Sequence, residues 1–300
     1  LRYQQGNYGV AVAKGNQELL EFIELGMAKI SLVEKSSIER RWFAMDKNKD
    51  SLSIAFPPDF PPYAAQSPTG QPQGLLIDMW RLWAEQTNTK INFVSRTIEE
   101  SLTLIHRNDV DVLIASPRAW LDESRFSLTE PIYQSKAKMF ISTNIPHIES
   151  LSYFDKKKIN TKIGIWQNTP FKQQLLTKYP HIKFKFFLTV DTLLKAAELG
   201  EVDVFVAHPD FMKLKLLKAN LQPSFYTLDM PTFNSTLSPL IKKGNGRLAV
   251  AINEGFKKIE LSKLANIEER WLSGDNHYYK NLFKKIILTK QEAQVIAQSK

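Results

Sequence analysis

Residues 52–94 read LSIAFPPDFPPYAAQSPTGQPQGLLIDMWRLWAEQTNTKINFV, and this stretch decides the fold. Leu52–Phe56 is a short apolar run, as a buried strand requires. The loop that follows, Pro57-Pro58-Asp59-Phe60-Pro61-Pro62-Tyr63, carries four prolines. Their fixed φ stiffens it and holds aromatic side chains at the strand's C-terminal end. Ser67-Pro68-Thr69-Gly70 has the composition of a turn. Gly74 then precedes an amphipathic helix to about Thr87, with Ile77, Trp80 and Trp83 facing inward, and Ile91–Val94 is a second strand. Strand, helix and strand in that order predict a parallel unit of an α/β fold.

Downstream the alternation continues. Ile98–Arg107 predicts a helix, and Asn108-Asp109-Val110-Asp111 announces a buried strand at Val112–Ala115. A second run follows the same logic: strand Lys162–Trp166, loop Gln167-Asn168-Thr169-Pro170, a helix to about Tyr179, strand Lys183–Phe187, helix Val190–Leu199 and strand Val204–Ala207. The phrases NDVDVLIA (108–115) and GEVDVFVA (200–207) fall at corresponding places, which predicts two lobes of similar construction. The chain is expected to cross between them near residues 139–143 and again near 228–236. Open α/β sheets bind ligands beyond the C-terminal ends of their strands, so two such lobes face each other across a cleft.

The chain also repeats itself. Displaced by 229 residues, Val10–Trp42 aligns without a gap on Pro239–Trp271, and thirteen of the 33 positions are identical. They include Lys14/Lys243, Gly15/Gly244, Asn16/Asn245, Gly26/Gly255, Lys29/Lys258, Glu39/Glu268, Arg41/Arg270 and Trp42/Trp271. Each copy reads as a short strand, a Lys-Gly-Asn turn and an amphipathic helix, with Leu19, Ile23, Met27 and Ile30 at helical spacing in the first. Ser31 and Glu34 suit the capping box of a second helix ending on Trp42. The expected organisation is therefore residues 1–44 as the tail of a preceding domain of the same kind, 45–51 as a linker and 52–273 as one complete domain. Residues 274–300 lead onward, with Thr289 able to cap a helix over Gln291–Gln298. Within 52–273, lobe 1 is expected at about 52–140 and 233–273, and lobe 2 at about 141–232.

Composition narrows the function. A chain of 300 residues has length for about two domains or lobes. It has no cysteine, which excludes disulfides and thiolate chemistry. Its five histidines are scattered with no pair at metal-ligand spacing, so neither a metal nor another cofactor is expected. The net charge of +9 is spread along the chain, its densest run being Lys156-Lys157-Lys158, and no nucleic-acid module signature accompanies it. That pattern describes a lysine-rich solvated surface and argues against a nucleic-acid partner. The longest uncharged window, Phe60–Ile77, contains four prolines and two glycines and forbids a spanning helix. The opening Leu1-Arg2-Tyr3-Gln4 lacks the basic-then-apolar pattern of a signal peptide, as expected of a mature or excised piece.

The stretch 52–94, the segment SRFSLTEPIY (Ser124–Tyr133), the Asp-Val spacings before two strands and Lys162–Trp166 with its turn together resemble the bacterial extracellular solute-binding proteins of the family that includes polar amino-acid receptors. The resemblance covers about Leu52–Trp271. The repeated tail, and the linker phrase Leu288-Thr289-Lys290-Gln291-Glu292, are similar to the tandem Venus-flytrap sensor regions of bacterial transmembrane histidine kinases. The resemblance implies a type II periplasmic-binding-protein clamshell, each lobe a mainly parallel sheet flanked by helices. It also implies a periplasmic location, a small polar metabolite (amino-acid-like or acidic) as ligand, and lobe closure as the signal. Membrane attachment would come only through regions outside this chain, and a homodimer within the receptor would be compatible.

Carried over residue by residue, the family's binding positions fall at Phe60, Ile98, Ser116, Arg118, Trp166, Asn168, Thr169 and His208. Phe60 is the stacking aromatic and Ile98 a second apolar wall. Ser116 and Arg118 follow the strand where the family receives a carboxylate. Trp166, Asn168 and Thr169 belong to the second lobe's loop, where helix N-terminal amides hold anions. Two departures stand out. Amino-acid-binding members place an arginine six residues before the phenylalanine of the RF-x-F segment; here Leu128 replaces that phenylalanine and the earlier position is Asp122. The family's acid for an α-ammonium falls near His208. Both argue against an ordinary α-amino acid, with Arg118 or Arg125 left as substitute clamps. Three other readings stay open: a free-standing binding protein of an ABC transporter, a ligand-independent interaction module, and an enzyme. For the last, Glu99, Glu100, Asp122 and Glu123 near the cleft rim form no recognisable acid/base pair.

Overall fold

The computed structural model describes residues 10–30, 34, 51–149, 151–155, 161–228, 233–273 and 277–284. The expected second helix of the first repeat with Trp42, most of the 45–51 linker, and the helix over Gln291–Gln298 lie outside them. The chain divides into two units, Leu1–Lys49 and Asp50–Lys300.

In the first unit the described element is α1 (Gln17–Lys29), whose N-cap Asn16 accepts a hydrogen bond from the backbone N–H of Leu19 at 3.3 Å. Gly15 before it has φ +92°. None of the residues of α1 is buried, and Leu19, Phe22, Leu25 and Met27 are exposed.

In the second unit β1 (Leu52–Phe56), β2 (Asp59–Phe60), β3 (Ala64–Gln66) and β4 (Pro72–Gln73) lead into α2 (Leu75–Thr87), followed by β5 (Ile91–Ser95), α3 (Ile98–Arg107) and β6 (Val112–Pro117). After β7 (Phe126–Leu128) comes the long β8 (Tyr133–Ser142). Then follow β9 (Ile163–Trp166), α4 (Lys172–Lys178), β10 (Phe184–Phe187), α5 (Val190–Glu198), β11 (Val204–Ala207), α6 (Pro209–Lys218) and β12 (Phe225–Thr227). The second long strand, β13 (Phe233–Lys242), precedes α7 (Gly246–Lys257) and α8 (Leu261–Trp271). Residues 278–284 are helical. None of the described helices is long and apolar enough to cross a membrane.

One sheet path runs β10-β9-β11-β8-β13-β6-β1-β5, with β12 beside β8 and β7 beside β13. β1 pairs in parallel with β5 and β6, and β9 with β10 and β11. In this sheet the antiparallel pairings belong to β8 and β13, while β2, β3 and β4 form a small antiparallel sheet of their own. Tyr133–Ala137 of β8 pair with Leu237–Phe233 of β13, after which Lys138–Ile141 pair with β11 of lobe 2. β13 does the reverse, continuing from Leu237 onto β6 and β7 of lobe 1. Two antiparallel strands thus pass between two mostly parallel lobes, which makes the clamshell.

Lobe 1 is built around α2. Trp80 and Trp83 are fully buried, with ring centroids 5.2 Å apart. Trp80 Nε1 donates to the Ile114 carbonyl of β6 and Trp83 Nε1 to the Ile252 carbonyl of α7, each at 3.0 Å, so neither indole leaves a polar atom unsatisfied. Gly255 of α7 permits this packing, because a Cβ there would lie 2.1 Å from Trp83 Nε1. α7 begins as α1 does: Gly244 has φ +90° and Asn245 accepts from Leu248 N–H at 3.4 Å. Both copies of the Lys-Gly-Asn phrase therefore adopt the same local geometry.

Gly255→Ala drives a methyl into the indole of Trp83 and is expected to cost about 2–3 kcal/mol, read as a lower urea midpoint at constant slope. The same change at Gly26, where a Cβ would meet open space, should leave the midpoint within about 0.5 kcal/mol. Equal effects at the two positions would refute this packing.

Candidate functional site

The cleft is built from the strand ends of both lobes. From lobe 1 comes the proline-braced loop, in which the rings of Phe60 and Tyr63 stack at 5.0 Å. From lobe 2 come the loop after β9, with Trp166, Thr169 and Phe171, and the β11–α6 junction at His208. His208 is followed by Pro209 at the first position of α6, where a missing N–H costs nothing.

The two sides touch. The Phe60 ring lies 5.3 Å from that of Phe211 and 6.4 Å from the imidazole of His208, and Tyr63 is 6.0 Å from His208. At the rim, Lys215 of α6 pairs with Asp59 of the lobe 1 loop at 3.1 Å and with Asp191 at 3.5 Å. On the other side Trp120 Nε1 donates to the Asn168 carbonyl at 2.9 Å, and the Trp120 and Trp166 rings meet edge to face at 6.3 Å. Buried apolar side chains are continuous from the lobe 1 core through Phe60 to Leu193, Phe211 and Met212 of lobe 2. Beside this contact lies a pocket of about 20 Å³, lined by Phe60 of lobe 1 and otherwise by lobe 2 residues, none of them Asp, Glu, Lys or Arg. That is room for about one water molecule.

Of the positions carried over from the family, Phe60, Trp166, Thr169 and His208 come together around this space. The others do not line it. Ser116 is buried where β6 pairs with β13, its hydroxyl directed to the Pro117 carbonyl. Ile98 is the first residue of α3, and Asn168 contributes its backbone carbonyl to Trp120. Arg118 is exposed and paired with Glu123 at 3.0 Å, and Arg125 lies against the Phe126 ring. Neither guanidinium lines this space. Asp122, at the arginine's position, has its pKa lowered by hydrogen bonds from the Ser124 hydroxyl and backbone N–H, so it stays a carboxylate.

His208 is the chemically distinctive group. It is 8% exposed, and one ring nitrogen, Nδ1, shares a 2.9 Å hydrogen bond with the Ser135 hydroxyl of β8. Nε2 has no hydrogen-bond partner among the described residues. Burial pushes its pKa down to about 4, so the imidazole is neutral near pH 7. Sequence reasoning did not find Phe171, Phe211, Met212 or the Asp59–Lys215 pair. Pro209 directly after His208 was the available signal for the start of α6. Among the described residues no group of His, Asp and Glu is arranged to hold a metal ion.

The sequence profile of the bacterial extracellular solute-binding proteins, family 3, matches residues 52–274. No curated protein matches the sequence. Among solved structures, the chain is similar to the periplasmic VFT2 domain of Bordetella pertussis BvgS, at 16% identity and TM-score 0.66, over 79% of this chain and 98% of that one. It is also similar to a histidine kinase sensor domain resembling periplasmic binding proteins, at 16% identity and TM-score 0.61, over 74% and 96%. A third is the ancestral amino acid-binding protein AncCDT-1, a precursor of cyclohexadienyl dehydratase, at 17% identity and TM-score 0.59, over 81% and 100%. Likeness at these identities establishes the two-lobed fold.

The state of His208 gives a pH dependence of defined sign. Its value in the folded chain, about 4, lies below the ordinary 6.5, so between these pH values the unfolded chain takes up a proton that the folded chain refuses. Stability from this group is complete above pH 6.5 and declines as pH falls toward 4, by about 3 kcal/mol in all. Urea unfolding across this window should show a shallower decline for His208→Gln than for the native chain, and identical slopes would contradict the buried neutral imidazole.

Proposed function

The chain belongs to the bacterial extracellular solute-binding proteins, family 3, and on that premise we propose that it is the extracytoplasmic sensory module of a bacterial transmembrane receptor, of histidine-kinase or cyclase type, whose signal is the angle between its two lobes. The sensor domains among its structural relatives support this reading. So does the repeat of α1 in α7, which favours two such domains in tandem. The observation that carries it is the cleft. Its lobes meet through Phe60, Phe211, His208 and the Asp59–Lys215 pair, and the pocket beside Phe60 holds about 20 Å³. A transport receptor must take up and release cargo. A cleft closed on its own side chains suits a switch that rests closed and responds when opened.

A metabolite would engage the open form. It would meet the Thr169 hydroxyl and the neutral His208 among aromatic and aliphatic walls. An α-amino acid would find no counter-charge there, and an unpaired buried charge costs several kcal/mol, on the order of 3–5. The ligand class this lining favours is an uncharged polar molecule.

Because the chain lacks cysteine, a pair introduced at Glu99 in lobe 1 and Lys183 in lobe 2 can carry spin labels without background. The native chain should give one narrow distance distribution in buffer free of metabolites. Phe60→Ala should move the open-to-closed ratio about thirtyfold, the equivalent of about 2 kcal/mol of lost cross-lobe packing. A native chain already open, with no response to Phe60→Ala, would end this reading.

A further inference from the structure

α8 carries a carboxylate that the cleft does not use. Glu268 is 0% exposed. Its Oε1 accepts the Tyr133 hydroxyl at 2.9 Å and the backbone N–H of Tyr278; its Oε2 accepts the backbone N–H of Lys280 at 3.0 Å. The His277 imidazole lies 4.0 Å from Oε2. Tyr278 and Lys280 are in the first turn of the helical residues 278–284. First-turn amides have no partner within their own helix, and a carboxylate is the natural acceptor for them. Here that acceptor comes from a different helix.

The same carboxylate reaches the hinge. Tyr133 opens β8, and strand alternation places Tyr133 and Ser135 on one face of it. Ser135 holds His208 of lobe 2, while Tyr133 holds Glu268. The Tyr63 ring is 6.0 Å from both Tyr133 and His208. Tyr279 packs against Tyr133, and its hydroxyl donates to the Ile132 carbonyl, one residue before β8 begins.

We infer that Glu268 is the positioning residue through which the hinge strand β8 holds the segment leaving the domain, with Tyr133 and the Tyr278 amide joined on its Oε1. This rests on the lobe-closure reading above. Opening the lobes turns β8 and displaces the Tyr133 hydroxyl. Because one oxygen serves both donors, the cap on residues 278–284 loosens with it. Closure restores both bonds, so lobe angle becomes order or fraying in the exit segment.

The test combines the spin-label pair with hydrogen exchange over residues 277–284. Phe60→Ala should lengthen the label distance and speed exchange of this segment at least tenfold. In a Tyr133→Phe background, which removes only the hydroxyl, opening should change that exchange less than twofold. Glu268→Gln retains one acceptor oxygen, and should keep the response while losing protection at Lys280. If the labels report opening and exchange in 277–284 stays constant, or responds equally with and without the Tyr133 hydroxyl, the coupling is wrong and Glu268 merely packs. Asp59→Lys, which sets like charges against Lys215, provides a second route to opening. Labels unmoved under both changes would overturn the lobe-closure reading itself, and the coupling with it.

Discussion

The pairing of β8 with β13 is the constraint on which the rest depends. Five residue pairs, Tyr133↔Leu237 to Ala137↔Phe233, join two strands that each belong to both lobes. Antiparallel pairing places their side chains alternately on the two faces of the ribbon. One face meets the cleft and the exit joint, through Ser135 with His208 and Tyr133 with Glu268. Because both strands continue into lobe sheets at either end, the lobes cannot translate independently and have little freedom beyond bending and twisting about this ribbon. The cleft and residues 278–284 are therefore connected through the same pair of strands.

Electrostatics then divides the molecule. The side chains around the small pocket beside Phe60 are uncharged: aromatic rings, aliphatic side chains, a threonine and an imidazole held neutral by burial. At the rim Lys215 of lobe 2 pairs with Asp59 of lobe 1, whose side chain is mostly exposed. Exposed pairs of this kind contribute about 0–1 kcal/mol each, so the central packing dominates closure and the rim sets its register. Away from the cleft the order is inverted. Glu268 is a buried carboxylate satisfied mainly by hydroxyl and amide donors, an arrangement that fixes geometry better than it adds stability.

Much of this was legible in the sequence, for reasons that can be named. Leu52–Phe56, Ile98–Arg107 and Val204–Ala207 appear where their apolar patterns place them, because local period and buried face agree there. Phe60 and His208 reach the cleft because a proline-braced loop and a strand end fix where they emerge. α6 escaped notice because its apolar residues run around the helix. Phe211, Met212 and Leu216 are buried, while Leu214 and Leu217 are exposed, so no stripe marks a face. The full length of β13 was hidden by Pro239, which argues against a central strand; the structure accommodates it where the register shifts between Ser238 and Leu240. The exit joint could not be read at all. Tyr133 and Glu268 are 135 residues apart, and nothing local ties a tyrosine opening a strand to a glutamate in a helix.

The hinge also dictates an order of assembly. Lobe 2 is contiguous, since β9 to β12 follow one another between the two long strands. Lobe 1 is not: β6 finds its neighbour in β13, more than a hundred residues later, and α2 receives α7 and α8 only from the chain beyond. A chain emerging N-terminus first can complete lobe 2 while lobe 1 still exposes Trp80, Trp83 and the unpaired edge of β6. Closing so long a loop is slow, and an apolar face awaiting its partner is open to aggregation. The strands that join the two lobes are the same ones that lobe 1 must await to complete its sheet.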